Sequence, residues 1–273
     1  MARTFCVLIF FIALAGRVAA GDAPASADQS GVPPLLLGAL GKIAKNFDRW
    51  AFTEIRQTMD DKGVVKKETI LRFDPSKPYA EQYRPLKIDG KPPTEKQLKN
   101  FRERGEKRAK KFAQQEAEGK TPGSELPKFE MNGGTASIDL THATIANETP
   151  ESVTYEVPLH NDGKGTLPVE KFQLFARVNR ASGSFENVAL RVRSAFRMKF
   201  VVKVKSGEAS VEFATVDSAH DPLPVKMSGD GTATILFLKF GGGFEVMRKD
   251  FARVKPYGDR FGVKIGPIKA LDF

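Results

Sequence analysis

The chain has 273 residues, and its 43 lysines and arginines outnumber its 33 aspartates and glutamates, giving a formal net charge of +10 at pH 7. A chain of this length can bury a real core, as one large domain or as two smaller ones. Its single cysteine, Cys6, lies in the N-terminal leader described next, so we expect a mature protein with neither disulfides nor thiol chemistry.

Residues 1–20 have the pattern of a secretory signal peptide. Arg3 supplies the positive start, Phe5–Ala15 is an apolar core, and Val18–Ala20 is a small-residue cleavage site. We therefore expect cleavage near Ala20-Gly21 and a periplasmic or secreted protein. An N-terminal membrane anchor that is never cut is the alternative. No later segment approaches the 18 uninterrupted apolar residues that a membrane-spanning helix needs, so we expect the processed chain to be soluble.

Loss of Arg3 and Arg17 with the leader lowers the net charge from +10 to +8, which is still basic. For an exported protein the expected anionic partners are lipid headgroups, lipopolysaccharide phosphates or acidic glycans, and nucleic acid is not expected. The alternative is that the charge only keeps the protein soluble.

Residues 21–34 are predicted to be a disordered linker, and residues 35–273 a single β-rich domain. From Leu35 apolar residues recur at helical spacing: Leu36, Leu40, Ile43 or Ala44, and Phe47. The polar face of this segment is thin, which predicts a helix buried against the sheet.

A hairpin follows the first helix. Trp50–Met59 is the first strand, Asp60–Gly63 the turn and Val64–Phe73 the return strand, and Gln82–Ile88 resumes the sheet.

A second helix is predicted from Thr94 to about Glu118. Thr94 is its N-cap, and Gln97 is placed to complete a capping box. Its apolar stripe is narrow, which favours a helix that rests lightly on the sheet or acts as a mobile lid; the alternative is a solvated charged helix. Its eight cations are Lys96, Lys99, Arg102, Arg104, Lys107, Arg108, Lys110 and Lys111.

The rest of the chain reads as strands separated by turn signals, without helices, which predicts antiparallel pairing. The predicted strands are Ser137–Ile145, Ser152–Val157, Phe172–Asn179, Phe185–Arg193, Phe196–Lys205, Glu208–Val216, Thr232–Phe240, Phe244–Val254 and Phe261–Ile265. The predicted turns include Ala181–Gly183, Ser206-Gly207, Ser228–Gly231 and Gly241–Gly243. The expected fold is mainly β: a large curved antiparallel sheet or incomplete β-barrel, with one buried N-terminal helix and one inserted basic amphipathic helix.

The stretch Leu190–Lys205 alternates between apolar residues at even positions and mostly cationic residues at odd positions. This pattern predicts a sheet with an apolar face and a positive face. The run is long for one strand, so we expect a bend near Ser194-Ala195. A two-residue turn at Ser206-Gly207 would place Val204 opposite Ala209, Val202 opposite Val211, Phe200 opposite Phe213, and Lys205 opposite Glu208.

Thr232–Phe240 is apolar on both faces, so as one strand it would have to be covered on both sides, by core or by a ligand cavity. Phenylalanine, with 21 copies, far exceeds tyrosine and tryptophan, and suits either plain core packing or a lipidic ligand.

No motif predicts an enzyme. His142, His160 and His220 are far apart and lack metal-ligand spacing, and no nucleophile elbow or phosphate loop is present in the sequence. We predict no metal and no cofactor.

In layout the chain resembles the bacterial periplasmic lipoprotein carriers of the LolA/LolB superfamily. The stretches that carry the resemblance are Phe52-Thr53-Glu54, Leu71–Pro75, Ile88–Thr94 and the strands from Phe172 onward. The resemblance implies an incomplete β-barrel that holds acyl chains under a helical lid, in a divergent member of the superfamily; the basic helix is not part of the plain carrier pattern.

We therefore hypothesise a non-enzymatic exported carrier or chaperone for an acyl-bearing or anionic lipid or lipoprotein. The predicted apolar ligand-binding residues are Phe196, Phe200, Ile235, Leu236, Phe237 and Leu238, and the predicted headgroup or partner-docking residues are Arg191, Arg193, Arg197 and Lys199. These two sets are expected on opposite faces of the same sheet, so a single ligand would touch both only at the rim. A basic outer face would instead dock an anionic membrane surface or an envelope partner. The alternatives are an envelope interaction module with a solid core and, third, a hydrolase.

Overall fold

The computed structural model describes residues 31–46, 49–117, 129–131, 134–161, 168–198, 202–235 and 238–257. These residues are mainly β, which confirms the predicted fold class. The helices are α1 (Pro34–Asn46) and α2 (Glu95–Ala117). The strands are β1 (Trp50–Asp60), β2 (Val65–Phe73), β3 (Tyr83–Ile88), β4 (Phe129–Met131), β5 (Gly134–Ile138), β6 (Thr144–Glu148), β7 (Ser152–Val157), β8 (Leu159–Asn161), β9 (Phe172–Asn179), β10 (Ser184–Val192), β11 (Phe196–Met198), β12 (Val202–Ala214), β13 (Leu223–Ile235) and β14 (Leu238–Arg253). The predicted signal peptide, the first ten residues of the linker and the predicted strand Phe261–Ile265 lie outside the described residues.

Eleven of these strands form one antiparallel sheet in the order β3-β2-β1-β14-β13-β12-β10-β9-β7-β6, with β11 paired to β12. The described strands leave the sheet open, with β3 and β6 at its two edges. A second sheet of three short strands, β4-β5-β8, was not predicted from the sequence.

The β1–β2 hairpin forms where the sequence placed it. Oδ1 of Asp60 accepts hydrogen bonds from the backbone N–H groups of Lys62 and Val64, at 3.0 and 2.9 Å. Gly63 has a φ of 75°, in the left-handed region where glycine carries no Cβ penalty. The turn is therefore closed by local chemistry that is visible in the sequence.

Helix α1 is buried against the sheet, as predicted. Leu36 and Ala39 are fully buried, and Leu40 and Ile43 pack against the same core from its edge. That core is built mainly from β7, β9 and β10, and includes Val153, Val157, Leu174, Ala176, Val178, Val188 and Leu190. Pro34 is the first residue of α1, where its missing N–H costs no hydrogen bond.

Helix α2 begins with the predicted capping box. The Thr94 backbone N–H donates to Oε1 of Gln97 at 2.8 Å, and the Gln97 backbone N–H donates to Oγ1 of Thr94 at 3.4 Å. The helix packs on β3. Gly105 is buried at this contact, since a Cβ added there would lie 2.0 Å from the backbone oxygen of Ala80. A glycine that weakens the isolated helix thus lets its backbone reach the sheet.

The two-faced character of Leu190–Lys205 is confirmed for the residues that the structure describes. Leu190, Phe196 and Val204 are buried, whereas Arg191 and Arg197 are exposed. The predicted bend is also present, because β10 ends at Val192 and β11 begins at Phe196.

The predicted turn at Ser206-Gly207 is wrong. β12 runs through it without a break, and Val204 pairs with Phe196, Ala209 with Leu190, and Val211 with Val188. The other predicted pairs fail as well, since Phe213 lies opposite Pro224 and Glu208 lies opposite Arg191.

The physical reason is that β12 has partners on both sides, and these outweigh a local turn preference. β12 has a register shift between Val204 and Ser206. Even-numbered residues are buried before the shift and odd-numbered residues after it, so Val204, Ala209 and Val211 all reach the core. Apolar residues on either side of Ser206-Gly207 fit one bulged strand as well as they fit a hairpin.

Thr232–Phe240 is not one strand covered on both faces. Ile235 ends β13, Leu238 begins β14, and these two residues pair in the antiparallel β13–β14 ladder. The predicted turns at Ser228–Gly231 and Gly241–Gly243 lie inside these same strands. The close approach of a neighbouring side chain explains the glycine at position 229, since a Cβ added there would lie 2.7 Å from the Phe244 ring.

The predicted strand Ser137–Ile145 is interrupted. β5 ends at Ile138 and β6 begins at Thr144. Between them Oδ1 of Asp139 accepts hydrogen bonds from the backbone N–H and the hydroxyl of Thr141, at 3.2 and 2.7 Å. This aspartate-centred turn offers the backbone an alternative to continued strand pairing.

Cross-strand pairing places both helices on one face of the large sheet, which we call the inner face. Paired residues share a face, and the pairs Val188–Val211, Val211–Met227, Met227–Val246 and Val246–Arg56 connect β10 to β1. Val188 belongs to the core under α1. At the other end, Arg56 lies over the ring of Tyr83, which also contacts α2. The central strands β12, β13 and β14 lie between the two helices on this face.

Candidate functional site

The predicted apolar ligand-binding residues are not gathered into one lining. Phe196 is 7% exposed and packs edge-on against Phe172 at 5.4 Å between ring centroids, so it belongs to the core under α1. Leu238 is 68% exposed at the start of β14. Phe200, Leu236 and Phe237, and the side chain of Ile235, lie outside what the structure describes. Their role in ligand binding stays a prediction.

The predicted docking cations lie on the outer face of the sheet, beside carboxylates. Nε of Arg191 is 3.0 Å from Glu208 Oε1, and Nη2 of Arg193 is 2.7 Å from Glu156 Oε1. Arg197 is exposed on β11, and Lys199 falls outside the described residues. The carboxylates neutralise much of the positive field that the alternating pattern suggested.

Other cations of the outer face are also paired with carboxylates. Arg177 lies 2.8 Å from Glu186, and Lys226 lies 3.2 Å from Glu245. Hydrogen bonding to Glu245, followed by its charge, raises the pKa of Lys226. These exposed pairs contribute little to stability, but each carboxylate offsets one cation of this face.

The inner face carries a buried ion pair that sequence reasoning missed. Glu54 on β1 lies opposite Arg248 on β14, both are almost fully buried, and Nε of Arg248 donates to Glu54 Oε2 at 2.9 Å. Nε of Arg56 donates to the other carboxylate oxygen, Oε1. Arg248 also lies over the Phe52 ring, 4.7 Å from its centroid. The available signal was a lone glutamate in the apolar start of a strand, which calls for a buried cationic partner.

Two further arginines reach this region from α2. Arg108 lies over the Tyr83 ring at 4.8 Å from its centroid, and Arg56 approaches the same ring at 5.9 Å. Arg104 is one helical turn from Arg108 and lies over Phe101. We call Arg56, Arg104, Arg108 and Arg248 the arginine cluster.

The arginine cluster is rich in positive charge and partly shielded from water. Burial lowers the pKa of the Arg108 guanidinium, and the charges of Arg56 and Arg104 act in the same direction. Nη2 of Arg108 is buried and has no hydrogen-bond acceptor among the described residues. Burial also raises the pKa of the Tyr83 phenol, and the Glu54 charge adds to this effect. The cluster therefore favours an additional anion.

The histidines form no comparable site. His142 and His220 each contact one nearby aspartate, with His142 Nδ1 2.7 Å from Asp139 and His220 Nδ1 3.3 Å from Asp217. His220 packs against Trp50 with rings perpendicular. In the described part of the chain no three histidine, aspartate or glutamate side chains are grouped so as to hold a metal ion.

No helix among the described residues is both long enough and apolar enough to cross a membrane. Comparisons with protein-family models, with curated proteins and with solved structures give no significant match.

Proposed function

We propose that the chain is an exported, non-enzymatic binding protein for an anionic, acyl-bearing ligand, either a lipid or a lipoprotein. One observation carries the proposal: the arginine cluster and the apolar inner face lie on the same side of the sheet. The alternating strand had suggested that cations and apolar residues were separated by the sheet. With α2 on the inner face, one ligand can contact both.

Half-buried apolar residues on the central strands support this proposal. Met227, Phe244 and Val246 lie on the inner face between the two helices. At the start of β14, Leu238 and Phe240 also lie on the inner face, and they are 68% and 39% exposed. Acyl chains would cover this strip, and a charged headgroup would lie toward α2.

One observation favours the alternative of an interaction module with a solid core. The half of the inner face under α1 is already filled, as the packing of Phe196 against Phe172 shows. A carrier must therefore use the central strands and the α2 half, and the test should address those positions.

The test is lipid extraction and native mass spectrometry of the protein purified after export. We expect co-purifying acyl lipid in the wild type, and a reduced amount in Leu238→Asp. The matched control is Ile145→Asp, which introduces the same charge at a residue 57% exposed on the edge strand β6. Consistent absence of lipid from the wild type, or equal loss in both variants, would favour the interaction module.

A further inference from the structure

We propose that Arg56 and Arg108, which both lie over the ring of Tyr83, bind a phosphomonoester group together with Arg104, one helical turn from Arg108 on α2. The anion site is argued from the arginine cluster alone. The assignment of the phosphate to a lipid headgroup, such as that of phosphatidic acid, rests on the proposed function.

Within the described residues, the arginine cluster holds more guanidinium groups than the one carboxylate, Glu54, that contacts it. Glu54 is a single carboxylate, and its two oxygens accept from Arg248 and Arg56. Neither Arg104 nor Arg108 forms an ion pair with a carboxylate in the described ranges. Arg104 and Arg108 therefore add two guanidinium charges next to Arg56, which shares the Glu54 carboxylate with Arg248, in a region where burial weakens solvent screening.

Holding these cations in place on α2 costs free energy. Arg104 and Arg108 are four residues apart, a spacing at which like charges repel on a helix. Arg108 also buries an N–H donor that has no acceptor among the described residues, which is unfavourable unless an acceptor arrives. Gly105, between the two arginines, lets the helix lie close to Ala80, just before β3. An arrangement whose charges repel one another is stabilised when an anion binds.

Access from solvent is also needed. The Arg56 side chain is 42% exposed, and Arg104 is exposed, so an anion can reach the cluster from solvent. The Arg108 guanidinium packs on the Tyr83 ring. The Tyr83 ring in turn packs against Phe73, at 4.7 Å between ring centroids, which restrains its position.

The charge of the cluster and its number of donors indicate the class of anion. A phosphomonoester carries about −1.5 to −2 charges at pH 7 and presents three terminal oxygens. Those oxygens can accept from three guanidiniums, one on β1 and two on α2, whereas a carboxylate offers two oxygens and one charge. The excess charge and the number of donors both match the phosphomonoester better.

The test uses the full mature chain and two probes. In the first arm, inorganic phosphate is titrated by calorimetry against chloride of equal ionic strength. In the second arm, flotation compares vesicles of phosphatidic acid with vesicles of phosphatidylglycerol, a phosphodiester, at equal surface charge. The variants are Arg108→Gln and Arg104→Gln, and the matched control is Lys107→Gln, which removes the same charge from an exposed position on α2.

We expect the wild type and Lys107→Gln to bind phosphate alike, and Arg108→Gln to bind it about 10- to 100-fold more weakly, as for the loss of a charged hydrogen bond. Arg104→Gln, at an exposed position, should weaken binding without risk to the fold. Equal weakening in Lys107→Gln and both arginine variants would overturn the site, because the attraction would then belong to the whole basic helix.

The two proposals fail separately. Phosphate binding that depends on Arg108, without retention of phosphatidic acid vesicles or co-purified lipid, would keep the site and reject the lipid carrier. Co-purified lipid that is unchanged in Arg108→Gln, with no phosphate binding, would keep the carrier and reject the site.

Discussion

Substitution of Gly105 by alanine tests the close contact between α2 and Ala80, the residue that Gly105 approaches just before β3. In an isolated helix this change stabilises by about 1 kcal/mol, because alanine loses less backbone entropy than glycine. Here the new Cβ would lie 2.0 Å from the Ala80 backbone oxygen and 2.8 Å from its carbonyl carbon. Contacts of this kind do not fall below 3.0 Å, so α2 or the Ala80 segment must shift by about 1 Å.

Forced shifts in well-packed regions cost about 1–3 kcal/mol. Set against the helix-propensity gain, the expected net loss for Gly105→Ala is up to about 2 kcal/mol. Because α2 lies at the sheet edge formed by β3, the loss should appear first as undocking of the helix. A change of 2 kcal/mol raises the undocked population by about 30-fold.

The assay is hydrogen exchange of the α2 amides together with thermal unfolding by circular dichroism. Gly38→Ala on α1 is the matched control, because nothing lies within 4 Å of its added Cβ. The control should gain about 0.5–1 kcal/mol and raise Tm by about 2–4 °C per kcal/mol. If Gly105→Ala instead stabilised the protein like Gly38→Ala, with slower exchange in α2, the seating of α2 on Ala80 would be refuted.

Three other predictions concern burial and charge. Glu54→Gln should destabilise by about 3–5 kcal/mol in urea unfolding, because it leaves the buried Arg248 without its carboxylate; a loss below about 1 kcal/mol would contradict the buried ion pair. The hydrogen bond from Lys66 lowers the Asp60 pKa from 3.8 to about 2. The stabilisation from Asp60 is therefore complete above its unfolded pKa and is lost as the pH falls through about 2. When Tm is measured against pH, Asp60→Asn should reduce the fall in Tm at low pH, because it removes the Asp60 carboxylate. An unchanged fall in Tm would show that Asp60 contributes nothing to it. Phe196→Ala should cost about 3–5 kcal/mol and Leu238→Ala less than about 0.5 kcal/mol by urea unfolding, since one side chain is buried and the other exposed; equal costs would contradict the assigned burial.

Much of the fold follows from local sequence patterns. The capping box of Thr94 and Gln97, the turn at Asp60 and the strand Phe172–Asn179 each depend on residues close together in the chain. The alternation in Leu190–Lys205 identified the buried face, because strand side chains alternate strictly between faces.

The candidate site could not be derived in the same way. Glu54 and Arg248 are 194 residues apart, and Arg108 meets Tyr83 only because α2 folds back onto β3. Nothing in the sequence near Arg108 distinguishes it from the other cations of the helix. Its position above an aromatic ring depends on the contact at Gly105.

The amino-acid sequence by itself determined both helices, the first hairpin and the apolar face of Leu190–Lys205, because capping and side-chain alternation are local properties. Only the tertiary structure decided the register of β12, the pairing of β13 with β14 and the placement of both helices on one face of the sheet. These features depend on pairing between distant strands, where contacts on both sides of a strand outweigh local turn preferences such as Ser206-Gly207.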